Sequence, residues 1–360
     1  MSAPRAEVPR ERRRRVAIAA ALTLGFGLLV LLFGLSDARD LVRTAAGIRP
    51  AMLALPALLT VASYAAMSRS YQEIADTAGC RLSFRAWVRI TFVSNTVNYL
   101  VTSAGLSGFA VRMFLLAQRG VPSNQAVVIS LVQTFLTNFT LLLFILLGFA
   151  ALVTRHTLPA PALGVACTAV VVFAALLAWA VVLMYRRRLR RRTLFFIADA
   201  GHRLLRRLVP RWTPGRVRLW RFQHDLNAGL EFILARKDRM LGPAGWIMLD
   251  WVLTIAILWA AFRAVNYAAA PGLVTIGFAV GICLSLVSLV PAGLGVMEGA
   301  MTGVFVSLGV PYETALVAVL IFRVAYYVFP LVLSLFLFHG VMLQAAHGVA
   351  SRPPHSRAAI

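Results

Sequence analysis

The sequence predicts an all-α polytopic membrane protein, and three observations point to this fold class. The chain of 360 residues is 60% hydrophobic and only 14% charged, which exceeds the apolar fraction of ordinary soluble domains. Its apolar residues gather in long runs, and its charges, which sum to +23, lie mainly between those runs. Cations in such places set orientation and meet anionic lipid headgroups, so we predict no nucleic-acid partner.

Six apolar runs are long enough to cross a bilayer once. A helix rises about 1.5 Å per residue and the hydrocarbon is about 30 Å thick, so one crossing takes about 20 residues. The first run is longer than the apolar stretch of a secretory signal, and we interpret it as a permanent helix. The predicted crossings are 16–35, 51–67, 124–153, 161–185, 243–265 and 312–343.

Two more apolar stretches, 86–120 and 272–309, are interrupted near the middle by glycine together with serine or proline. We predict that each forms a broken or re-entrant helical hairpin that returns to the side it came from. Proline removes a backbone donor and glycine permits non-helical backbone. The predicted turn residues are Gly105 and Gly108 in the first hairpin, and Pro291, Gly293 and Gly295 in the second.

The distribution of cations predicts the orientation in the membrane. Six arginines precede residue 16, and sixteen cations lie between residues 186 and 239, whereas the loop 266–271 has none. Because basic loops stay on the cytoplasmic side, both termini are predicted to be cytoplasmic. This alternation holds only if both broken stretches return to the side they left; spanning two-leg hairpins satisfy it equally.

The chain also contains an internal repeat. The triplet Gly120-Val121-Pro122 recurs as Gly309-Val310-Pro311 at an offset of 189 residues, each time between a broken stretch and a long apolar run. Because the charge pattern opens the two hairpins to opposite sides, the repeat is predicted to be inverted, as in secondary transporters. The predicted domains are 1–15 (basic), 16–185 (first membrane half), 186–242 (basic loop with amphipathic helices), 243–343 (second half) and 344–360 (tail).

Five polar side chains beside the predicted turns are candidate ligands of a lipid headgroup: Asn95, Asn98, Arg112, Glu298 and Arg323. Charges inside a membrane are costly and usually functional, and the expected partner of Glu298 is Arg323. Other interpretations stay open at this point. The two amides share a helix face and can simply join helices, Arg112 can extend to the interface, and the acid and base can form a structural ion pair.

The remaining polar residues predict little chemistry. Asp250, inside the crossing 243–265, is a candidate proton or cation relay, or else the partner of a neighbouring arginine. Glu73 and Asp76 lie at a membrane edge, and we interpret them as solvated. Cysteine and histidine are scattered without ligand-like or catalytic spacing, so we predict no metal site, no cofactor and no catalytic residue.

These motifs resemble the lysylphosphatidylglycerol synthase transmembrane family, a flippase-like membrane module found alone in many bacteria and archaea. The C-terminal signature of that family resembles Pro291, Gly293, Gly295, Glu298, Gly309, Val310, Ala315 and Arg323. Its upstream signature resembles Asn98, Gly105, Gly108, Arg112 and Gly120. The first copy departs from the pattern, with Thr102 where a proline is common. The resemblance covers residues 16–343 and implies lipid handling.

Synthase activity is not implied, because only seventeen residues follow Leu343 and we expect no soluble aminoacyl-transferase domain. We therefore expect a non-enzymatic protein that binds and moves a charged-headgroup lipid, an anionic or aminoacylated phospholipid or a related lipid phosphate. A membrane-embedded lipid-phosphate transferase and a scaffold for a lipid-modifying enzyme are the alternatives. The sequence leaves a homo-oligomer open.

Overall fold

The computed structural model describes residues 26–100, 106–155, 160–189, 235–287 and 293–336, together with isolated positions elsewhere. Within these ranges every regular element is a helix, which confirms the all-α fold class. The helices are α1 (Ala38–Ala46), α2 (Pro50–Thr77), α3 (Phe84–Leu100), α4 (Leu106–Ala117), α5 (Ser123–Arg155), α6 (Ala160–Tyr185), α7 (Leu241–Ala264), α8 (Pro271–Val287), α9 (Val296–Ser307) and α10 (Tyr312–Arg323).

Four of the described helical segments are long and apolar enough to cross a membrane: Pro50–Thr77, Gln125–Thr154, Asp238–Ala264 and Tyr312–Phe336. They correspond to four of the six predicted crossings. A fifth predicted crossing is helical as α6, with 26 residues. Of the first predicted run, residues 23 and 26–34 are described as helical and Leu35 as a turn, and the other positions lie outside the described residues, as does most of the arginine-rich loop 186–239.

The two interrupted stretches are pairs of helices, α3 with α4 and α8 with α9, and the legs of each pair pack together. The described parts of the legs are Phe84–Leu100 and Leu106–Ala117 in the first pair, and Pro271–Val287 and Val296–Ser307 in the second. In α8, a Cβ atom at Gly277 would lie 2.2 Å from the Phe305 ring of α9, so glycine permits the close approach of the two legs.

The predicted turn glycines have different roles in the structure. Gly293 and Gly295 have φ angles of 61° and 77°, the left-handed backbone expected of a turn before α9. Gly108, in contrast, is the third residue of α4, and the prediction that it forms the turn is wrong. A Cβ there would lie 2.7 Å from the Cβ of Asn98, so Gly108 brings the two legs together. Gly105 and Pro291 lie outside the described residues.

The repeated triplets end their hairpins in the same way. Gly120 and Gly309 have φ angles of 73° and 87°. The amide of Val121 donates to the carbonyl of Leu116, and that of Val310 to the carbonyl of Phe305, at 3.2 and 3.0 Å. In each case the residue after the left-handed glycine donates to a carbonyl in the last turn of the preceding helix. This pattern is typical of a helix that ends at a glycine. The element order of helix, hairpin and helix thus occurs twice, over α2–α5 and over α7–α10.

Contacts near the helix ends define two ends of the bundle. At one end, which we call the Gly47 end, the Asn266 side chain donates to the carbonyl of Gly47, and the Tyr312 hydroxyl donates to the carbonyl of Leu32. The opposite, or Glu73, end joins the C-terminal part of α2 to the start of α7, where Trp246 Nε1 donates to Glu73 Oε1 at 2.8 Å. Glu73 is therefore a link between helices, and the interpretation of this residue as solvated is wrong.

The two hairpins open toward different ends. Val121, just after the first hairpin, belongs to the same buried cluster as Cys80 and Met240, near the Glu73 end. The second hairpin is followed directly by Tyr312, whose hydroxyl lies at the Gly47 end. Helices α2 and α7, which precede the hairpins, run in opposite directions between these ends and pack along much of their length.

Candidate functional site

A buried ion pair lies between the second hairpin and α10. Arg323 Nε donates to Glu298 Oε1 at 2.6 Å, and the two residues are only 7% and 2% exposed. Glu298 is the third residue of α9, directly after the left-handed glycines, and Arg323 is the last residue of α10. The expected pairing of these two residues is thus confirmed.

The surroundings of the pair are polarizable. The guanidinium of Arg323 lies 4.2 Å from the centre of the Tyr327 ring, a cation–π contact. Its Nη1 lies 3.6 Å from the Met297 sulfur, which also accepts from the Tyr327 hydroxyl at 3.6 Å. Glu298 Oε2, in contrast, is buried without a hydrogen-bond partner among the described residues. The site therefore keeps one unsatisfied carboxylate oxygen.

Tyrosines connect this pair to the first hairpin. The hydroxyls of Tyr99, on α3, and Tyr326 lie 3.1 Å apart. The Tyr99 ring also lies 5.0 Å from that of Tyr327, whose face carries Arg323. Residues of the first hairpin and of the segment that follows α10 thus meet in one aromatic cluster, which contains hydroxyl groups and lies against the ion pair. Such a cluster offers both hydrogen bonds and apolar surface to a bound molecule.

The backbone beside Arg323 departs from the α-helix. Residues Val324–Val328 form a π-helix, in which the Phe329 amide donates to the Val324 carbonyl. The next carbonyl in this pattern, that of Ala325, faces Pro330, which has no N–H. The Thr60 hydroxyl on α2 lies 3.1 Å from that carbonyl and 2.9 Å from the Pro56 carbonyl, so its single proton is shared between the two carbonyl oxygens. Single turns of π-helix inside α-helices are frequent at functional sites.

Arg112 is buried in the first hairpin and is 6% exposed. Its guanidinium carbon lies 4.4 Å from the centre of the Tyr71 ring, which stacks on Trp87. Within the part of the chain that the structure describes, no carboxylate lies within 4.0 Å of it, and its Nε has no hydrogen-bond partner. Arg112 therefore does not extend to the interface. Arg119 lies beyond the helix, where burial and nearby Arg89 lower its pKa.

The two amides of α3 have different environments. Asn95 Nδ2 contacts the sulfur of Met67 on α2 at 2.6 Å. Asn98 lies against Gly108 of α4, and its Oδ1 is buried without a hydrogen-bond partner among the described residues. Asn95 thus makes a contact between helices, whereas Asn98 has an acceptor available.

Asp250 lies inside α7 and is 2% exposed. Ser63 on α2 donates a hydrogen bond to its Oδ1 at 2.5 Å. None of the described arginines lies within salt-bridge distance of its carboxylate, so the alternative of a neighbouring arginine partner finds no support there. Asp250 and Arg112 both contact α2, at Ser63 and at Tyr71 respectively, which lie about two helical turns apart on that helix.

The structure thus brings Glu298 and Arg323 together and places Arg112 and Asp250 apart from that pair. The family model of the lysylphosphatidylglycerol synthase TM region matches residues 16–334. The chain belongs to this family. A UPF0104 membrane protein of Methanothermobacter thermautotrophicus is 29% identical over 106 residues, which are 29% of this chain and 30% of that protein. The chain thus matches about three tenths of this curated relative's length.

Membership in the lysylphosphatidylglycerol synthase TM family, together with the long apolar helices, identifies the chain as a multi-pass membrane protein. The family resemblance indicated Glu298, Arg323 and Arg112, but the sequence did not predict three features of the site. They are the tyrosine cluster, the hydroxyl of Thr60 and the π-helix. Pro330 inside an apolar run was the available signal, because it leaves a carbonyl of the preceding turn without a donor.

Proposed function

We propose that this protein binds a lipid with a charged headgroup and translocates it across the cell membrane. The substrate class is a phospholipid, an aminoacyl-phospholipid or a related lipid phosphate, and the chain itself carries out no covalent chemistry. The observation that carries this proposal is buried Arg112, for which the described residues supply no carboxylate.

A buried guanidinium without an acidic partner favours an anion that arrives from outside the protein. Removing an ion from water costs several kcal/mol, and a buried partner of opposite charge is needed to offset this. The planar fork of arginine matches the oxygens of a phosphate, and Tyr71 already covers one face of Arg112. In a membrane protein, the phosphate that reaches such a depth is that of a lipid, whose acyl chains stay in the bilayer.

Two inverted halves provide a way to expose this site to each side in turn. The loop contacts that place the open ends of the two hairpins at the Glu73 end and the Gly47 end support the inversion. So do the matching glycine-terminated ends of α4 and α9. In this proposal the halves rock against each other about the tyrosine cluster, as in transporters built from inverted repeats.

The other candidate ligands have supporting roles in the proposal. Asn98 supplies an amide to the headgroup, since its Oδ1 accepts no bond from the described residues, and Asn95 positions α3 against α2. Glu298 contributes Oε2 as an acceptor for a donor group of the headgroup, while its Oε1 holds Arg323. The ion pair thereby positions the second hairpin and orients the remaining oxygen.

Reconstitution tests this proposal directly. The purified chain is placed in liposomes with phosphatidylglycerol or phosphatidylethanolamine that carries a headgroup-distant fluorophore, and dithionite quenching reports the outer leaflet. We expect lipid exchange between leaflets to be faster than in protein-free vesicles and to leave the lipid chemically unchanged. Failure to accelerate exchange of any tested lipid, with or without ion gradients, would contradict translocation. Conversion of the labelled lipid to a new product would instead indicate a transferase.

A further inference from the structure

Asp250 lies near the middle of the apolar helical segment Asp238–Ala264, where the distance from water is greatest. Its hydrogen-bond donor, Ser63, lies near the middle of the other long segment that packs against it, Pro50–Thr77. The two side chains therefore meet at the crossing of α2 and α7, the first helices of the two repeated units. An ionised carboxylate at such a depth is energetically costly, so its charge needs a physical reason.

Among the described residues, no group in direct contact with the Asp250 carboxylate carries a positive charge that would compensate it. Ser63 donates one neutral hydroxyl, and the tyrosines within electrostatic range are neutral: Tyr64 and Tyr71 on α2, Tyr99 on α3 and Tyr326 on the π-helix. Glu298 has a different environment, because Arg323 neutralises it at 2.6 Å. The described cation Arg112 packs on the same helix as Asp250, because Arg112 lies over the Tyr71 ring of α2 and Asp250 accepts from Ser63 of α2.

The charges of Arg112, Asp250 and a bound phosphate sum to zero in only two states of the site. Without an anion, a charged Arg112 and an ionised Asp250 sum to zero. When a singly charged phosphate occupies Arg112, that sum becomes −1 unless Asp250 takes up a proton. Burial of net charge in hydrocarbon is strongly unfavourable. Binding of an anion at Arg112 should therefore favour binding of one proton at Asp250.

We propose that Asp250 is a proton-binding site that is filled when Arg112 binds the phosphate, so that lipid and proton cross together without net charge. This inference rests on the proposed function and adds its ion coupling. The carboxylate forms one O–H bond with a proton from the water on the side where the lipid enters. The same bond breaks on the opposite side, where the proton returns to water as the lipid leaves.

Calorimetry tests the proton without any transport. Short-chain phosphatidylglycerol is titrated into the purified full-length chain in sodium-free buffers of different ionisation enthalpy, and the dependence on the buffer counts the protons bound. We expect uptake of about one proton per lipid in the wild type and in D250E, and none in D250N. Asp76→Asn is the matched control, because Asp76 is exposed at the end of α2 and should leave the uptake as in the wild type.

The outcomes separate the two proposals. Lipid binding without proton uptake in the wild type, or equal uptake by D250N, overturns the proton site and leaves lipid binding intact. Absence of lipid binding overturns both. If D250N does not elute as a folded species, the wild-type count and D250E decide the result.

Proteoliposomes test the coupling itself. With an acidic lumen, labelled phosphatidylglycerol should accumulate in the outer leaflet, which faces the alkaline side. A membrane potential imposed with potassium and valinomycin at equal pH should have no such effect, because the loaded step is neutral. We expect D250N to lose the response to the pH gradient and, because it moves the anionic lipid without a proton, to respond to the potential instead, and D76N to behave as the wild type. A response of the wild type to potential alone, or of D250N to the pH gradient, contradicts the coupling.

Discussion

Replacement of Arg112 by methionine should reduce lipid translocation at least about tenfold and at the same time raise the melting temperature of the protein in detergent without anionic lipid. The translocation loss corresponds to about 1.4 kcal/mol or more of lost stabilisation by a charged hydrogen bond to phosphate. The cation–π contact with Tyr71 contributes about 2 kcal/mol, less than the several kcal/mol that burial of an unpaired cation costs. Removal of the charge therefore stabilises the fold.

The opposite signs of these two effects separate a ligand-binding arginine from a structural one. Differential scanning fluorimetry gives the melting temperature, and dithionite quenching of proteoliposomes gives translocation. Added phosphatidylglycerol should stabilise the wild type by binding to the folded state and should have a smaller effect on R112M. Arg85→Gln is the matched control, because Arg85 is an exposed arginine of the same hairpin. A lower melting temperature of R112M with wild-type translocation would assign Arg112 to structure alone.

Removal of one member of the Glu298–Arg323 pair should destabilise the protein by about 3–5 kcal/mol, because it leaves a buried charge without its partner. The single variants E298Q and R323M should show this loss, whereas the double variant E298Q/R323M should recover most of it. The resulting interaction energy is measured with a double-mutant cycle of unfolding free energies. The exposed pair of Arg187 and Glu231 provides a control, and R187M should cost at most about 1 kcal/mol.

Translocation by the double variant shows whether the pair also contacts the headgroup. We expect E298Q/R323M to fold and yet to translocate slowly, since Glu298 Oε2 and its orientation are lost. Wild-type translocation by the stable double variant would reduce the pair to a structural element that positions α9 against α10.

The sequence predicted the long helices and the hairpins because bilayer thickness sets a length that apolar runs must match. It also paired Glu298 with Arg323, because a carboxylate in hydrocarbon requires a partner and few cations lie nearby in the chain. Gly108 was misplaced because a glycine that ends a helix and one that lets two helices approach look alike in a sequence. Its neighbour Asn98 lies on the opposing leg, which only the folded chain reveals.

Contacts across the chain could not be derived from local patterns. The Thr60 hydroxyl lies against a carbonyl 265 residues away, and it does so only because the π-helix turns that carbonyl toward α2. Glu73 looked solvated because it lies at a helix end, but the indole of Trp246 arrives from another helix. The tyrosines of the central cluster do not stand out in an apolar sequence, and their meeting depends on the contact between α3 and the π-helix.

Site-directed cysteine labelling shows directly whether the two hairpins are inverted, because it reports the side of the membrane to which each hairpin opens. Gln118 and Ser307 are exposed, occupy equivalent positions 189 residues apart and lie at the open ends of the first and second hairpins. In a background without Cys80, Cys167 and Cys283, a membrane-impermeant maleimide is applied to intact and permeabilised cells. If the hairpins are inverted, S307C reacts from outside the intact cell and Q118C reacts only after permeabilisation. Labelling of both cysteines from the same side would contradict an inverted architecture.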